Sequence, residues 1–235
     1  MTESLAASPA LLTSVAERAL AELPQRCRRI GLGTGRAAEA FIVLLGKKVG
    51  EGLDVEGVPT SERSDKLARE HGIRVSTLAE GPLDIAFDGA DEVDASAQLT
   101  KGLGGAMLRE RVVAAEARRF IVLVTADKIV ASLGMRSPLP VEVVPFAWGS
   151  AKRRLADLAP RVELRPAKDG SGPFVTDNHN WVADLYADGG WDAPRDLDAR
   201  VRRVPGVVDT GFLFDMASLV VIGSSEGTTT LAPGG

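Results

Sequence analysis

The chain has 235 residues, 45% of them hydrophobic and 26% charged, enough to bury a sizeable core in one or two domains. A net charge of −4 and a pI near 5.4, with no basic stripe, exclude a general binder of nucleic-acid backbones. Cys27 is the only cysteine in the sequence, which excludes an intrachain disulfide and a cysteine-based metal cluster and reads as a small residue leading into a strand. Residues 1–12 show no basic segment ahead of an apolar one, and the longest apolar runs, such as 120–124, fall far short of a membrane span. A cytoplasmic protein without membrane contact is expected. The apolar spacing predicts a helix over 9–23, a strand ending at 30–32, a helix over 36–48 and a strand near 55–58. A helix over 62–71 follows, with Ser61 as its N-cap and Gly72 as its stop, then strands near 73–75 and 83–87, a helix from Ala106 and a strand over 120–125. Such alternation predicts an α/β fold: a mainly parallel, Rossmann-like sheet flanked by helices. After Pro138 the texture changes to short β-like runs at 162–165, 174–176 and 181–185 around one helix near 195–203, a smaller α+β subdomain. Strands over 207–214 and 218–222 are expected to return to the main sheet. The predicted domains are therefore 1–135 plus 207–235 for the α/β part and 136–206 for the subdomain, with a fraying tail over 227–235. No internal repeat or low-complexity segment is evident.

Chemistry-bearing residues concentrate in two segments. Phe87-Asp88-Gly89-Ala90-Asp91-Glu92-Val93-Asp94 follows an apolar run, so Asp88 falls at or just past a strand end, where Gly89 and Ala90 leave the backbone open to a ligand. Loops at such ends carry chemistry in α/β folds. The second segment, Lys101-Gly102-Leu103-Gly104-Gly105, is a glycine-rich turn into the Ala106 helix. At roughly 100° per residue, the helical neighbours of Glu110 are Ala106, Met107, Val113, Ala114 and Ala117, so Glu110 is the one charge in an apolar arc. Burial disfavours the charged form of a carboxyl group, moving it toward the range where it takes and returns a proton near neutral pH.

Gly31-Leu32-Gly33-Thr34-Gly35 lies between a predicted strand and helix, an arrangement that aims backbone N–H groups and the positive helix end at an anion, with phosphate the natural guest. A tight structural turn is the other reading. Arg36 stands where a dinucleotide fingerprint needs its last glycine, and no Gly-Lys-Ser/Thr follows to make a P-loop. Lys128 lies just past the end of the strand at 120–125, where an ordinary surface lysine and a ligand contact are both open. The acids Asp88, Asp91, Glu92 and Asp94 fit a solvated loop or a hard-cation site, although their spacing does not match an EF-hand. Of the two histidines, His71 precedes Gly72 and His179 sits in Asp177-Asn178-His179-Asn180. Neither accompanies a Gly-x-Ser-x-Gly nucleophile, which argues against serine-type hydrolysis. Trp148, Trp181 and Trp191 read as packing residues rather than a base-stacking platform.

Asp88-Gly89-Ala90-Asp91-Glu92, Lys101-Gly-x-Gly with Arg109-Glu110, and Pro138-Leu139-Pro140-Val141-Glu142-Val143 resemble ribose-5-phosphate isomerase of type A. Gly31 to Gly35, Thr176-Asp177-Asn178 with Asn180, and Pro205-Gly206-Val207-Val208 leading to Gly211-Phe212-Leu213-Phe214 extend the resemblance, in the family's order, over nearly the whole chain. The resemblance implies interconversion of D-ribose 5-phosphate and D-ribulose 5-phosphate through an enediolate, in the non-oxidative pentose phosphate pathway, with no metal and no cofactor. It assigns Glu110 as the base for the carbon-bound proton, and Asp88, Asp91 and Lys101 to ring opening, hydroxyl protons and the developing oxyanion. It places substrate against Thr34, Gly35, Arg36, Ala37, Asp88, Gly89, Ala90, Asp91, Lys101, Gly102, Leu103, Gly104 and Lys128. A homo-oligomer, dimer or tetramer, is expected. The family's turn usually continues Thr-Gly-Ser-Thr, whereas this chain reads Thr34-Gly35-Arg36-Ala37, so two hydroxyls expected near phosphate are missing. Two other classes remain open. A non-catalytic sugar-phosphate sensor needs the turn but not Glu110 or Lys101, and an acyl-CoA transferase using a glutamate leaves the Asp88-to-Asp91 set without a purpose.

Overall fold

In the computed structural model, residues 8–233 are described; residues 1–7, part of the segment read for a targeting signal, and Gly234 and Gly235 of the tail lie outside them. Ser8 starts the first helix by accepting the Leu11 N–H on its hydroxyl at 3.2 Å, and Pro9 at the first helical position has no N–H to leave unsatisfied. The elements are then α1 (Pro9–Leu20), β1 (Arg29–Leu32), α2 (Arg36–Gly50), β2 (Glu56–Pro59), α3 (Glu62–Glu70), β3 (Arg74–Val75), β4 (Ile85–Gly89), β5 (Glu92–Val93), β6 (Leu99–Thr100), α4 (Met107–Glu116) and β7 (Phe120–Thr125). They continue with β8 (Leu139–Val143), α5 (Trp148–Leu155), β9 (Arg161–Leu164), β10 (Trp181–Tyr186), α6 (Pro194–Val201), β11 (Val207–Thr210), β12 (Phe212–Leu213), β13 (Leu219–Ser224) and β14 (Gly227–Leu231). Ser61 caps α3 as expected, accepting the Ser64 N–H at 3.1 Å. Among the described residues, no helix is long and apolar enough to cross a membrane.

Two compact units emerge. The first comprises Met1–Ala90, Arg109–Ile129 and Asp215–Gly235, and carries a seven-stranded sheet in the order β14-β13-β7-β4-β1-β2-β3. Every neighbouring pair is parallel except β13 with β14. Strands buried on both faces read as continuous apolar runs, and β7 is buried along its whole length. Ile30, Leu32, Phe41, Leu45, Ile85, Phe87, Ile121 and Leu123 fill the core, and the Phe41 and Phe87 rings stack at 4.0 Å just ahead of Asp88. Cys27 is buried in this core. Burial, reinforced by the negative charge of Asp84, pushes its thiol up to about 12, so it stays protonated and inert.

The second unit comprises Asp91–Leu108 and Val130–Phe214. It holds a four-stranded antiparallel sheet, β11-β8-β10-β9, and a three-stranded one, β12-β6-β5. Its core gathers Leu139, Val141, Val143, Ala151, Leu155, Leu185, Val201 and Phe212, with Trp148 and Trp191 packed at the edge. The division differs from the predicted domains, because residues 91–108, 130–135 and 207–214 all fall in this unit.

Several expectations are corrected. The strand expected over 207–214 does not return to the main sheet: it splits at Gly211 into β11, paired with β8, and β12, paired with β6. The tail is not frayed through its length, since β14 pairs antiparallel with β13 through the two-residue turn between Ser224 and Gly227. The run 174–176 is not a strand but one isolated bridge, Val175 to Trp181, next to a second at Pro166 and Pro173. Pro173 has no N–H to give a ladder. Strand β8 and helix α5 were not foreseen.

Candidate active site

In the first unit, β1 lies between β2 and β4. The chain runs outward from β1 to β2 and β3, then crosses back past β1 to β4 and β7, so the strand order reverses between β1 and β4. Connections leaving the carboxyl ends of two such strands diverge and open a crevice, the usual ligand position in open α/β sheets. The turn after β1 and the segment closing β4 both reach this point. Gly33 N–H donates to Phe87 O at 2.8 Å, which brings the turn onto β4. Thr34 N–H at 3.0 Å and Gly89 N–H at 2.7 Å both donate to Oδ1 of Asp88, whose side chain is only 2% exposed. Thr34, Asp88 and Gly89 are thus brought together.

The Thr34 hydroxyl joins a cluster that sequence reading missed. It lies 2.8 Å from Thr60 Oγ1, 2.7 Å from Ser61 Oγ and 3.2 Å from Ser64 Oγ, and Ser64 Oγ donates to Gly33 O at 2.6 Å. These hydroxyls fix the turn from below, and the one sequence signal for them was the capping role of Ser61. Gly35 precedes α2 without any side-chain cap, so the first N–H groups of the helix lack intrahelical acceptors. Arg36 is exposed at the first helical position and Ala37 is half-buried. Lys128 is half-buried in a short turn after β7, the strand next to β4. Glu110 sits in the first turn of α4, 5% exposed, and the same helix buries Val113 and Ala114, as the apolar arc requires.

In the second unit, Asp91 N–H donates to Thr100 O at 2.8 Å, and its Oδ2 accepts the Leu103 N–H at 2.9 Å. Lys101 N–H donates to Gly211 O at 2.8 Å, and the lysine is 2% exposed. Gly102 adopts φ +98°, and a Cβ there would stand 2.8 Å from that of Met107, so neither backbone nor space admits another residue. Gly105 N–H closes the turn onto Gly102 O at 2.9 Å, leaving Leu103 and Gly104 exposed.

The other two acids of the cluster serve turns. Glu92 is fully buried, its Oε1 accepting the N–H groups of Arg136 and Ser137 and its Oε2 that of Gly134 at 2.6 Å. Asp94 Oδ1 accepts from Ser96 N and Gln98 N. Among the described residues, no three His, Cys, Asp or Glu side chains gather as a metal site would need. The Thr176 to Asn180 motif also has a structural partner: Glu142 Oε1 accepts from the Thr176 hydroxyl and from the side-chain amides of Asn178 and Asn180 at 2.9–3.1 Å. His179 holds the left-handed corner of that turn, and His71 caps the end of α3.

Comparison with known proteins converges. A family model described as ribose 5-phosphate isomerase A (phosphoriboisomerase A) matches residues 56–227. The ribose-5-phosphate isomerase A of Deinococcus radiodurans is 43% identical over 224 residues, covering 94% of this chain and 97% of that protein. The solved ribose 5-phosphate isomerase A of Methanocaldococcus jannaschii superposes with a TM-score of 0.88 at 38% identity, covering 95% of this chain and 98% of that one. A D-ribose-5-phosphate isomerase in complex with phospho-erythronic acid gives 0.90 at 37% identity, with the same coverage.

Proposed function

Because the chain belongs to the ribose 5-phosphate isomerase A family, we infer that it interconverts D-ribose 5-phosphate and D-ribulose 5-phosphate by moving a proton between C2 and C1 through an enediolate. The observation that carries this reading is the Asp88 carboxylate, pinned by two backbone amides at the carboxyl end of β4 where the strand order reverses. Phospho-erythronic acid, found on a relative, carries a phosphate at one end and a planar pair of oxygens at the other, as the enediolate does.

In this proposal, Glu110 removes the C2 proton of the open-chain aldose and returns it to C1 on the same face, one base serving both carbons. Asp88 and Asp91 handle the hydroxyl protons of ring opening and of O1 and O2. The Lys101 ammonium, held out of water, balances the negative charge that develops on oxygen, a contribution of the oxyanion-hole kind. Gly102, Leu103 and Gly104 supply backbone that approaches that oxygen, as do Gly89 and Ala90. The phosphate is assigned to the start of α2, with Thr34, Gly35, Arg36 and Ala37, and to Lys128. The purified protein is expected to form ribulose 5-phosphate from ribose 5-phosphate at an undiminished rate in EDTA. Activity that vanished in EDTA and returned with a divalent ion would overturn the metal-free mechanism, and phosphate-ester binding without turnover would mark a sensor instead.

Arg36 opposes the helix dipole, by about 0.3–1 kcal/mol when exposed, unless an anion sits beside it. A guanidinium grips phosphate through two parallel charge-assisted bonds, which replace the two hydroxyls the family pattern supplies. Arg36→Ala is expected to remove roughly 1.5–3 kcal/mol and weaken ribose 5-phosphate binding about 10- to 150-fold, with little change for unphosphorylated ribose. Equal losses for both sugars, or none for the ester, would leave Arg36 pointing to solvent.

A cytoplasmic homodimer or tetramer completes the proposal. What supports self-association is an exposed apolar set in the second unit: Phe146 is fully exposed, and Val144 and Val208 flank the bond from Val144 N–H to Gly206 O.

A further inference from the structure

Arg165 and Asp184 form an ion pair in the second unit that the reaction above leaves unused, with side chains only 12% and 9% exposed. The fork is bidentate: Nε donates to Oδ2 at 2.9 Å and Nη2 to Oδ1 at 2.5 Å. Both residues stand on a rigid frame, since Asp184 lies inside β10 and Arg165 N–H donates to Val182 O at 2.9 Å. The remaining guanidinium nitrogen, Nη1, donates at 2.9 Å to two successive carbonyls, Gly102 O and Leu103 O. The same segment reaches the far end of that loop through Phe174, whose ring edge would stand 2.3 Å from any Cβ at position 105.

Two carbonyls turned toward one cation have a consequence for the amides. All described peptide bonds are trans, so each C=O points opposite to the N–H of the following residue. Gly102 O facing Arg165 turns the Leu103 N–H away, and that N–H indeed meets Asp91 Oδ2 at 2.9 Å. Leu103 O facing Arg165 likewise turns the Gly104 N–H away from the guanidinium. We propose that Arg165, locked in plane by Asp184, is a positioning residue of the isomerase: it sets the peptide planes of the Gly102 to Gly104 loop so that the Leu103 N–H holds the Asp91 carboxylate in place and the Gly104 N–H, with Asp91, faces the substrate oxygens. The proposal rests on the isomerase reading of Lys101 and Asp91. Lysine is no substitute, because a point-charge ammonium cannot hold both Asp184 oxygens and two carbonyls in one plane.

Removing Arg165 alone strands a buried carboxylate, so the test replaces the pair with apolar residues, Arg165→Met with Asp184→Leu, an exchange that folded proteins tolerate. The double variant is expected to melt near the parent temperature and to lose about 10²-fold in kcat, because the loop drifts. KM for ribose 5-phosphate is expected to stay within about threefold, since the phosphate turn is untouched. Amide hydrogen exchange at Leu103 to Gly105 is expected to accelerate, a readout independent of turnover. Arg165→Lys, which keeps the charge, is expected to lose at least about 10-fold in kcat and decides the matter if the double variant does not fold. A folded variant with parental kcat and parental exchange in the loop would overturn the proposal. Failure of the unmodified protein to isomerise ribose 5-phosphate would instead sink the reaction assignment and leave the exchange result standing on its own.

Discussion

Replacing Glu110 by glutamine is expected to lower kcat for ribose 5-phosphate isomerisation by about 10²- to 10⁴-fold while the protein still folds. Glutamine has the shape of glutamate and fits the same place on α4, beside the buried Val113 and Ala114. What it lacks is a basic oxygen, so the step it loses is the transfer of the carbon-bound proton and not the binding of the phosphate. KM is therefore expected to change much less than kcat. Exchange offers a second check: in deuterated water the parent protein is expected to label the C1–C2 carbons through the enediolate, and the variant to lose labelling in step with turnover. A Glu110→Gln protein with near-normal kcat would mean that another group carries the proton, whatever the family.

Glu110 was legible because a helix face is written in the sequence at fixed spacing, and one charge among Met107, Val113 and Ala114 stands out. The strand-end position of Asp88 was legible for a similar reason, an apolar run meeting glycine. What was not legible depends on contacts between distant segments. The hydroxyls of Thr60, Ser61 and Ser64 meet Thr34 only because β1 and β2 pair in parallel with Leu32 opposite Pro59. Helix α5 buries just Ala151 and Leu155 and carries Lys152, Arg153 and Arg154 in a row, too short an apolar signal to register. Strand β14 looked like a tail because glycine opens it, yet the threonines at 228–230 are β-branched and suit an edge strand. The split at Gly211 had no local sign: a Cβ there would stand 2.2 Å from Lys101 O, a close approach set by the β6–β12 pairing.

The same kind of close approach makes Gly33 the most sensitive backbone position of the first unit's site. A Cβ at position 33 would stand 2.2 Å from both Cγ and Oδ1 of Asp88 and 2.5 Å from its Cα. Neither side can yield. Gly33 is tied by its N–H to Phe87 O and by its carbonyl to Ser64 Oγ, while the Asp88 backbone lies within β4 between β1 and β7. Gly33→Ala is therefore expected to drive the Asp88 carboxylate off the Thr34 and Gly89 amides, costing about 1–3 kcal/mol by overpacking. For a chain of this length that is a fall of roughly 2–12 °C in Tm. Turnover is expected to fall by about 10²-fold or more, because the carboxylate proposed to handle the hydroxyl protons no longer meets them once displaced by an ångström. Gly50→Ala is the matched control: it ends α2 with open space around its Cβ and is expected to leave kcat unchanged and Tm equal or slightly higher. The comparison separates crowding at Asp88 from any general effect of adding a methyl group. A Gly33→Ala protein with parental kcat and Tm would show that the turn and β4 stand further apart than these contacts place them.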